Sequence, residues 1–358
     1  MLKDESSSML HLNVRDFQPS GQSVWDLPTW NYPLAQGVMP LCAIVGQRLI
    51  PVGTAFLISK LGVIATAAHV IQEAFREDRA IQEVFNKGAS NKEHTVRNIQ
   101  LAVLHHRKVN ETNTQVNVWP LENVQIAHPT DVAFGFLKFQ QSFPYLSFTL
   151  SPAVPRIGET VFCVGYCDSK FPDGGIPLQE IADGSFDWQG AFFHRFHVAE
   201  GIVRASFIKR FSHGYADGPC FLTDCQIQHG QSGGPVFNSA GNICGINLGG
   251  ASTFIPNGPN SLASLIYPAL ATKIKFSLQP NDMFSFTVHQ PLINLIENGG
   301  ILTDGSERLS NISVQGDESL VSPLIHKDDK EFTFNDFQGY QDSHPAIPII
   351  KNGFGNTE

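Results

Sequence analysis

Residues 229–235 read His229-Gly230-Gln231-Ser232-Gly233-Gly234-Pro235, a serine set among three glycines. A run this rich in glycine displays a hydroxyl on a tight backbone loop, because glycine accepts positive φ and lets main-chain N–H groups turn toward one point. If the N–H groups of Gly230 and Ser232 converge, they form a cradle for a developing oxyanion. Losing one such donor typically costs ~10²–10³ in turnover. A serine alone is a weak nucleophile, however. It needs a base, and the base needs an acid to hold one tautomer.

Two upstream segments supply them. Gly53 to Ser59 and Val63 to Val70 are two β-like runs joined by a Lys60-Leu61-Gly62 turn, with His69 just after the second. Pro129-Thr130-Asp131-Val132-Ala133-Phe134 puts an acid at the mouth of an apolar strand. The order along the chain is therefore His69, Asp131, Ser232. Alone, His69 reads equally well as a core histidine and Asp131 as a strand-edge cap; the Ser232 loop gives the pair a shared purpose.

These segments resemble a known family. Thr66-Ala67-Ala68-His69, Thr130-Asp131-Val132-Ala133 and Gly230-Gln231-Ser232-Gly233-Gly234-Pro235 are similar to the three catalytic blocks of trypsin-like (chymotrypsin-fold) serine peptidases. The nearest likeness is to the bacterial HtrA/Do-like branch: Thr223-Asp224, then Ile227, leads into the serine block, and Asn242 to Asn247 resembles the strand after it. The resemblance covers about residues 38–250 and more loosely extends to about 302. It implies an all-β fold of two packed antiparallel six-stranded β-barrels with a few short helices. It also implies a serine endopeptidase acting through a Ser-His-Asp triad and an acyl-enzyme, with the oxyanion hole at the Gly230 and Ser232 N–H groups.

The implied pocket neighbours are Gln226, Ile227, Asn247 and Gly250. Gln226 stands where a charged pocket base would sit in a trypsin-type site, so an uncharged pocket for small or medium side chains is expected. Gln231 stands where the secreted digestive branch has an acid that pairs with a freed N-terminus, so activation by that route is not expected. The other reading of Gly230-x-Ser232-x-Gly234 is an α/β-hydrolase elbow. That motif opens a helix and needs an acid and a histidine after the serine, whereas Val236-Phe237 is strand-like and His289, His326 and His344 lack such a context. A further alternative is a latent or non-catalytic trypsin-fold binding or scaffold subunit, which loop order alone decides.

Composition narrows the partners. The 358 residues carry a formal net charge of −9 without a clustered basic patch, which argues against nucleic acid or an anionic membrane. The expected partners are a protein or peptide substrate and a regulatory protein. The N-terminus lacks a basic-then-apolar signal segment and no run approaches the ~20 apolar residues of a spanning helix, so a cytoplasmic location is expected. In a reducing compartment the six cysteines, at 42, 163, 167, 220, 225 and 244, are expected as buried free thiols. Their spacing does not make a paired C-x-x-C zinc site. No metal or cofactor is expected, and His94, His105, His106 and His128 read as polar strand or loop residues rather than ligands.

Along the chain, residues 1–35 form an extended arm pinned by Trp25 and Trp30. The resemblance implies a peptidase domain over residues 36–302, with barrels expected at about 38–140 and 147–302, and 303–358 are expected as a polar tail too short for a PDZ module. A helix is predicted from His69 through Phe85, where Ile71, Ala74, Phe75 and Ile81 recur at helical spacing. Ser264 to Ala271 is helix-permitting though broken by Pro268. Residues 166–195 form a long insertion expected to wall the cleft, and 249–261 border the substrate groove. Pro291 to Gly299 reads as a closing helix, with Pro at its start and Gly past its end.

Overall fold

A computed structural model describes residues 14, 18–27, 33–45, 47–76, 100–108, 114–127, 130–137, 147–188, 190–208, 211, 218–250, 260–281, 284–306, 312–315 and 318–321. In chain order, β1 (Val24–Leu27) and the short helix α1 (Pro33–Gly37) lead into β2 (Val38–Val45), β3 (Arg48–Leu57) and β4 (Val63–Ala67). Helix α2 (Ala68–Arg76) follows, then β5 (Gln100–Lys108), β6 (Thr114–Ala127) and β7 (Val132–Leu137). Every residue of β4 and β7 is buried. That is the reason these strands read as continuous apolar runs rather than as alternation.

Strands β2 to β7, all antiparallel neighbours, run in the order β2-β5-β6-β7-β4-β3, and β3 pairs back onto β2 to close a six-stranded barrel. The second barrel is built from β8 (Thr160–Lys170), β10 (Phe193–Phe207), β11 (Cys220–Thr223), β12 (Pro235–Asn238), β13 (Ile243–Gly250) and β14 (Ser261–Leu265). Its order is β10-β11-β14-β13-β12-β8, closed by β8 on β10. Two closed barrels leave few open strand edges. Phe56 and Phe134 of the first barrel and Phe162, Phe196, Phe221 and Phe237 of the second are essentially inaccessible to solvent. Each fully buried ring of this kind stabilises the fold by ~1.5–3 kcal/mol.

Two additions join this frame. β1 pairs antiparallel with residues 196–199 of β10, the half of that strand not reached by β11. Trp25 lies edge-on to Phe162, its ring centroid 6.3 Å away. The arm expected at 1–35 is therefore partly a strand of the second barrel's sheet.

The second addition is the insertion, which leaves β8, forms β9 (Ile176–Pro177) and helix α3 (Leu178–Ala182), and returns into β10. β9 pairs with Arg48 and Leu49 of β3. Ile176, Phe186 and Phe192 bury themselves against Cys42, Leu49, Ala102 and Leu104. The sequence points this segment at the cleft; its apolar residues instead cover the outer face of β2, β3 and β5, strapping the second barrel to the first.

Other differences are local. The helix after β4 is described only to Arg76, and the rest of its expected span to Phe85 lies outside the described residues. Residues 261–265 are strand β14, and the helical character expected there is confined to a 3-10 turn at Tyr267–Ala271. Pro268 lies in the first turn of that segment, where its missing N–H breaks no helical hydrogen bond, and it bars the helix from extending back into 264–266.

β15 (Lys273–Asn281) and β16 (Phe284–Pro291) form a hairpin. Helix α4 (Leu292–Glu297) closes the domain, with Pro291 as its N-cap and Gly299 past its end at φ +70°. The region read as a plain polar tail contains a further hairpin, β17 (Ile312–Gln315) with β18 (Glu318–Val321). Among the described residues no helix is long and apolar enough to cross a membrane.

Candidate active site

One strand pair brings Asp131 and His69 together. In the β4–β7 register Ala67 lies opposite Val132, so the residue before β7 faces the start of α2. The Ala68 N–H donates to the Asp131 carbonyl at 3.2 Å. The His69 main-chain N–H donates to Asp131 Oδ1 at 2.7 Å, and His69 Nδ1 lies 2.6 Å from Asp131 Oδ2. One carboxylate thus caps the first turn of the helix and orients the ring it carries. Both side chains are partly shielded, at 27% exposure for His69 and 18% for Asp131. With Nδ1–H donated to the carboxylate, Nε2 is the basic nitrogen.

The Ser232 loop lies between β11 and β12. Gln228 to Gln231 form a β-turn closed by the Gln231 N–H on the Gln228 carbonyl at 3.1 Å. Gly230 takes its third position at φ +97°, as a type II turn requires. A Cβ at 230 would sit 2.7 Å from the Tyr166 carbonyl. At Gly233, also left-handed at φ +83°, a Cβ would come within 2.2 Å of the Thr54 carbonyl and of Thr66 Oγ1. Close approach of the two barrels at this point therefore demands glycine. Among the described residues the N–H groups of Gly230 and Ser232 have no intramolecular acceptor, while the Gly233 and Gly234 N–H groups donate to Asn247 and Gln231 carbonyls.

The first barrel reaches across to hold this loop. The Thr54 N–H donates to the Ser232 carbonyl at 2.9 Å. Its hydroxyl donates to the Gly230 carbonyl at 2.9 Å and accepts from the Tyr166 N–H at 2.9 Å. The Thr66 hydroxyl donates to the Thr54 carbonyl at 2.7 Å. The sequence marks Gly53-Thr54 as no more than a strand. Nothing in its local pattern reveals that this residue braces a loop 176 positions away.

The Ser232 hydroxyl donates to the Leu248 carbonyl at 2.9 Å. Gln226 is exposed, Ile227 half-buried and Gly250 exposed, placements open to a bound chain. Asn247, expected as a pocket neighbour, is fully buried. Its amide donates to the Val164 carbonyl at 3.4 Å, and its main chain exchanges hydrogen bonds with Gly233 and Gly234, so it braces the serine loop from below.

All six cysteines are free and buried. Burial pushes the Cys167 thiol up to about 11, and it raises Cys42, Cys163, Cys220 and Cys244 as well. The thiolate forms a nucleophile needs are thereby suppressed. Among the described residues no group of three or more His, Cys, Asp or Glu is placed to hold a metal ion.

A family model described as a trypsin-like peptidase domain matches residues 53–246, more than half of the 358 residues. The chain belongs to the trypsin-like peptidase family. The matched span runs from the Thr54 brace through His69, Asp131 and Ser232 to β13.

Solved structures similar to this peptidase-family chain include the MamO protease domain from Magnetospirillum magneticum in its apo form. It is 15% identical, over 66% of this chain and 94% of that one, with a TM-score of 0.40. Deg5 is 18% identical over 64% of this chain and 84% of its own, with a TM-score of 0.38. The HtrA-type protease AlgW with a tripeptide is 16% identical over 65% of this chain and 57% of its own, also at 0.38. A sequence comparison with curated proteins returned no match.

Proposed function

We propose that this trypsin-like domain is a serine endopeptidase that cleaves peptide bonds through an acyl-enzyme on Ser232. The observation that carries the reading is the double grip of Asp131 on His69, through the main-chain N–H and ring Nδ1. It holds the imidazole in the tautomer whose Nε2 can take a proton. Ser232 turns from the Leu248 carbonyl toward His69 and attacks the substrate carbonyl carbon as its proton passes to Nε2. The Gly230 and Ser232 N–H groups bind the oxyanion. The imidazolium then gives its proton to the leaving amine, and water attacks the acyl-enzyme with His69 again as base. Asp131 stays ionised and stabilises the imidazolium.

Gln226, Ile227 and Gly250 are the proposed pocket neighbours. Without a charged base, the pocket favours a small or medium uncharged side chain before the scissile bond. A peptide-library cleavage profile tests this. Cleavage after uncharged residues, lost in Asp131→Asn, supports it; cleavage that survives the substitution, or that occurs only after Lys and Arg, contradicts the triad or the pocket respectively.

A second reading is favoured by one observation, the Ser232 hydroxyl held on the Leu248 carbonyl. In it the domain is latent, and a regulatory protein or the substrate itself frees the hydroxyl. Acylation by a small probe that appears only after a protein partner is added would favour this reading.

A further inference from the structure

The turn that carries the Gly230 N–H is gripped from the side opposite Thr54 as well. Gln231, fully buried, accepts the Gln228 N–H on its Oε1 at 2.7 Å and donates from Nε2 to the His197 carbonyl at 3.3 Å. The Gln228 side chain accepts from Arg195 Nη2 at 2.7 Å. That same nitrogen pairs with Asp168 Oδ2 at 2.7 Å, and Arg195 Nη1 lies 3.6 Å from Asp26 Oδ2. The other oxygen of Asp26 meets His197 Nδ1 at 2.8 Å. Asp26 is on β1, directly opposite His197 in the register. One carboxylate of the N-terminal strand thus touches both residues, Arg195 and His197, that hold Gln228 and Gln231, the two ends of the turn.

We propose that Asp26, acting through Arg195 and His197, is a positioning residue for the Gly230 turn, so that seating of the N-terminal strand sets the competence of the oxyanion cradle. This rests on the serine-peptidase reading for its catalytic consequence, though not for its structural one. Asp26 and Asp168 side chains are 46% and 52% exposed and Arg195 is 32% exposed. Ion pairs this open contribute little to folding stability. Their removal therefore separates positioning from folding. An uncharged glutamine at 231 fits the scheme, since it can accept from one end of the turn while donating to β10, as a carboxylate cannot.

The test uses the full chain and the Asp26→Asn, Asp168→Asn and Arg195→Met variants, with the exposed Asp173→Asn as control. Hydrogen exchange is measured on the peptide spanning 226–234, alongside the limiting rate and half-saturating concentration of acylation by a fluorophosphonate. Asp26→Asn and Arg195→Met should speed exchange in 226–234 several-fold without moving the unfolding midpoint. They should also lower the limiting acylation rate about 10-fold, a fraction of the ~10²–10³ that losing an oxyanion donor costs, with half-saturation unchanged. Combining the two should cost less than the sum of the single effects, because they share the Asp26–Arg195 contact, and more than Arg195→Met alone, because Asp26 also holds His197. Unchanged exchange in both variants overturns the proposal. Faster exchange with an unchanged acylation rate overturns the link to the oxyanion cradle. Faster exchange in the variants, with a wild type that is never acylated, leaves the brace standing and defeats the peptidase reading instead.

Discussion

In the first barrel His69 and Asp131 are neighbours across a single strand pair, and Asp131 meets His69 through ring and main chain at once. In the second barrel the nucleophile turn is held almost wholly by distant residues: Thr54 from the other barrel, Tyr166 packed beneath Gly230, and Asp26 through Arg195. The His69–Asp131 half is prebuilt by local geometry, whereas the Ser232 half depends on how separate parts of the chain dock. On the proposed function, the site is disabled by loosening a contact far from its chemistry while the histidine and carboxylate stay paired.

The largest expected effect breaks the prebuilt half. Asp131→Asn should lower acylation of Ser232 by ~10⁴, because the ring is then held in the wrong tautomer, while the fold survives. Next is the barrel junction itself. Gly233→Ala drives a Cβ against Thr54 and Thr66 at a left-handed φ, and should destabilise the fold by ~3–5 kcal/mol, read as a large fall in the unfolding midpoint.

The strap between the barrels supplies the third prediction. Burial lowers the pKa of His194 to about 3 from an ordinary 6.5, and burial, with His194 and His105 nearby, also holds His106 well below that value. The rings of His194 and His106 lie 5.0 Å apart where the insertion meets β5. The unfolded chain takes up these protons near pH 6.5, but the folded ring of His194 does not until about pH 3. This contribution is therefore intact above 6.5 and is lost as pH falls between the two values, on the order of 5 kcal/mol. Chemical denaturation across that range checks it, and His194→Phe should flatten the slope.

The smallest effect sharpens the comparison most. Thr54→Val keeps the shape but leaves the Gly230 carbonyl and Tyr166 N–H without their partner. It should cost ~1–3 kcal/mol of stability and slow acylation about 10-fold, leaving the His69–Asp131 pair untouched.

What could be read from residues follows the same division. The serine loop, His69 and Asp131 stand in short motifs whose local chemistry is explicit, and the buried strands β4 and β7 announce themselves as apolar runs. The closing helix was legible too, from Pro291 and Gly299. Thr54, Gln228, Arg195 and Asp26 were not, because their roles exist only after strands far apart in sequence pair. The bracing role of Asn247 is hidden for a related reason: a β-strand alternates faces, and sequence alone does not say that this side chain turns under the loop. The length of the insertion points it at the cleft, but Ile176, Phe186 and Phe192 find apolar surface on the back of the first barrel.

The most direct test of the account is covalent labelling of the full chain by a fluorophosphonate, with the modified residue located by mass spectrometry. Labelling confined to Ser232, absent in Ser232→Ala, slowed by orders of magnitude in His69→Ala, and rising with pH across the imidazole range of about 5 to 8 is the predicted result. Labelling that is equally fast without His69, or flat across that range, would contradict the claim that Ser232 and His69 act together.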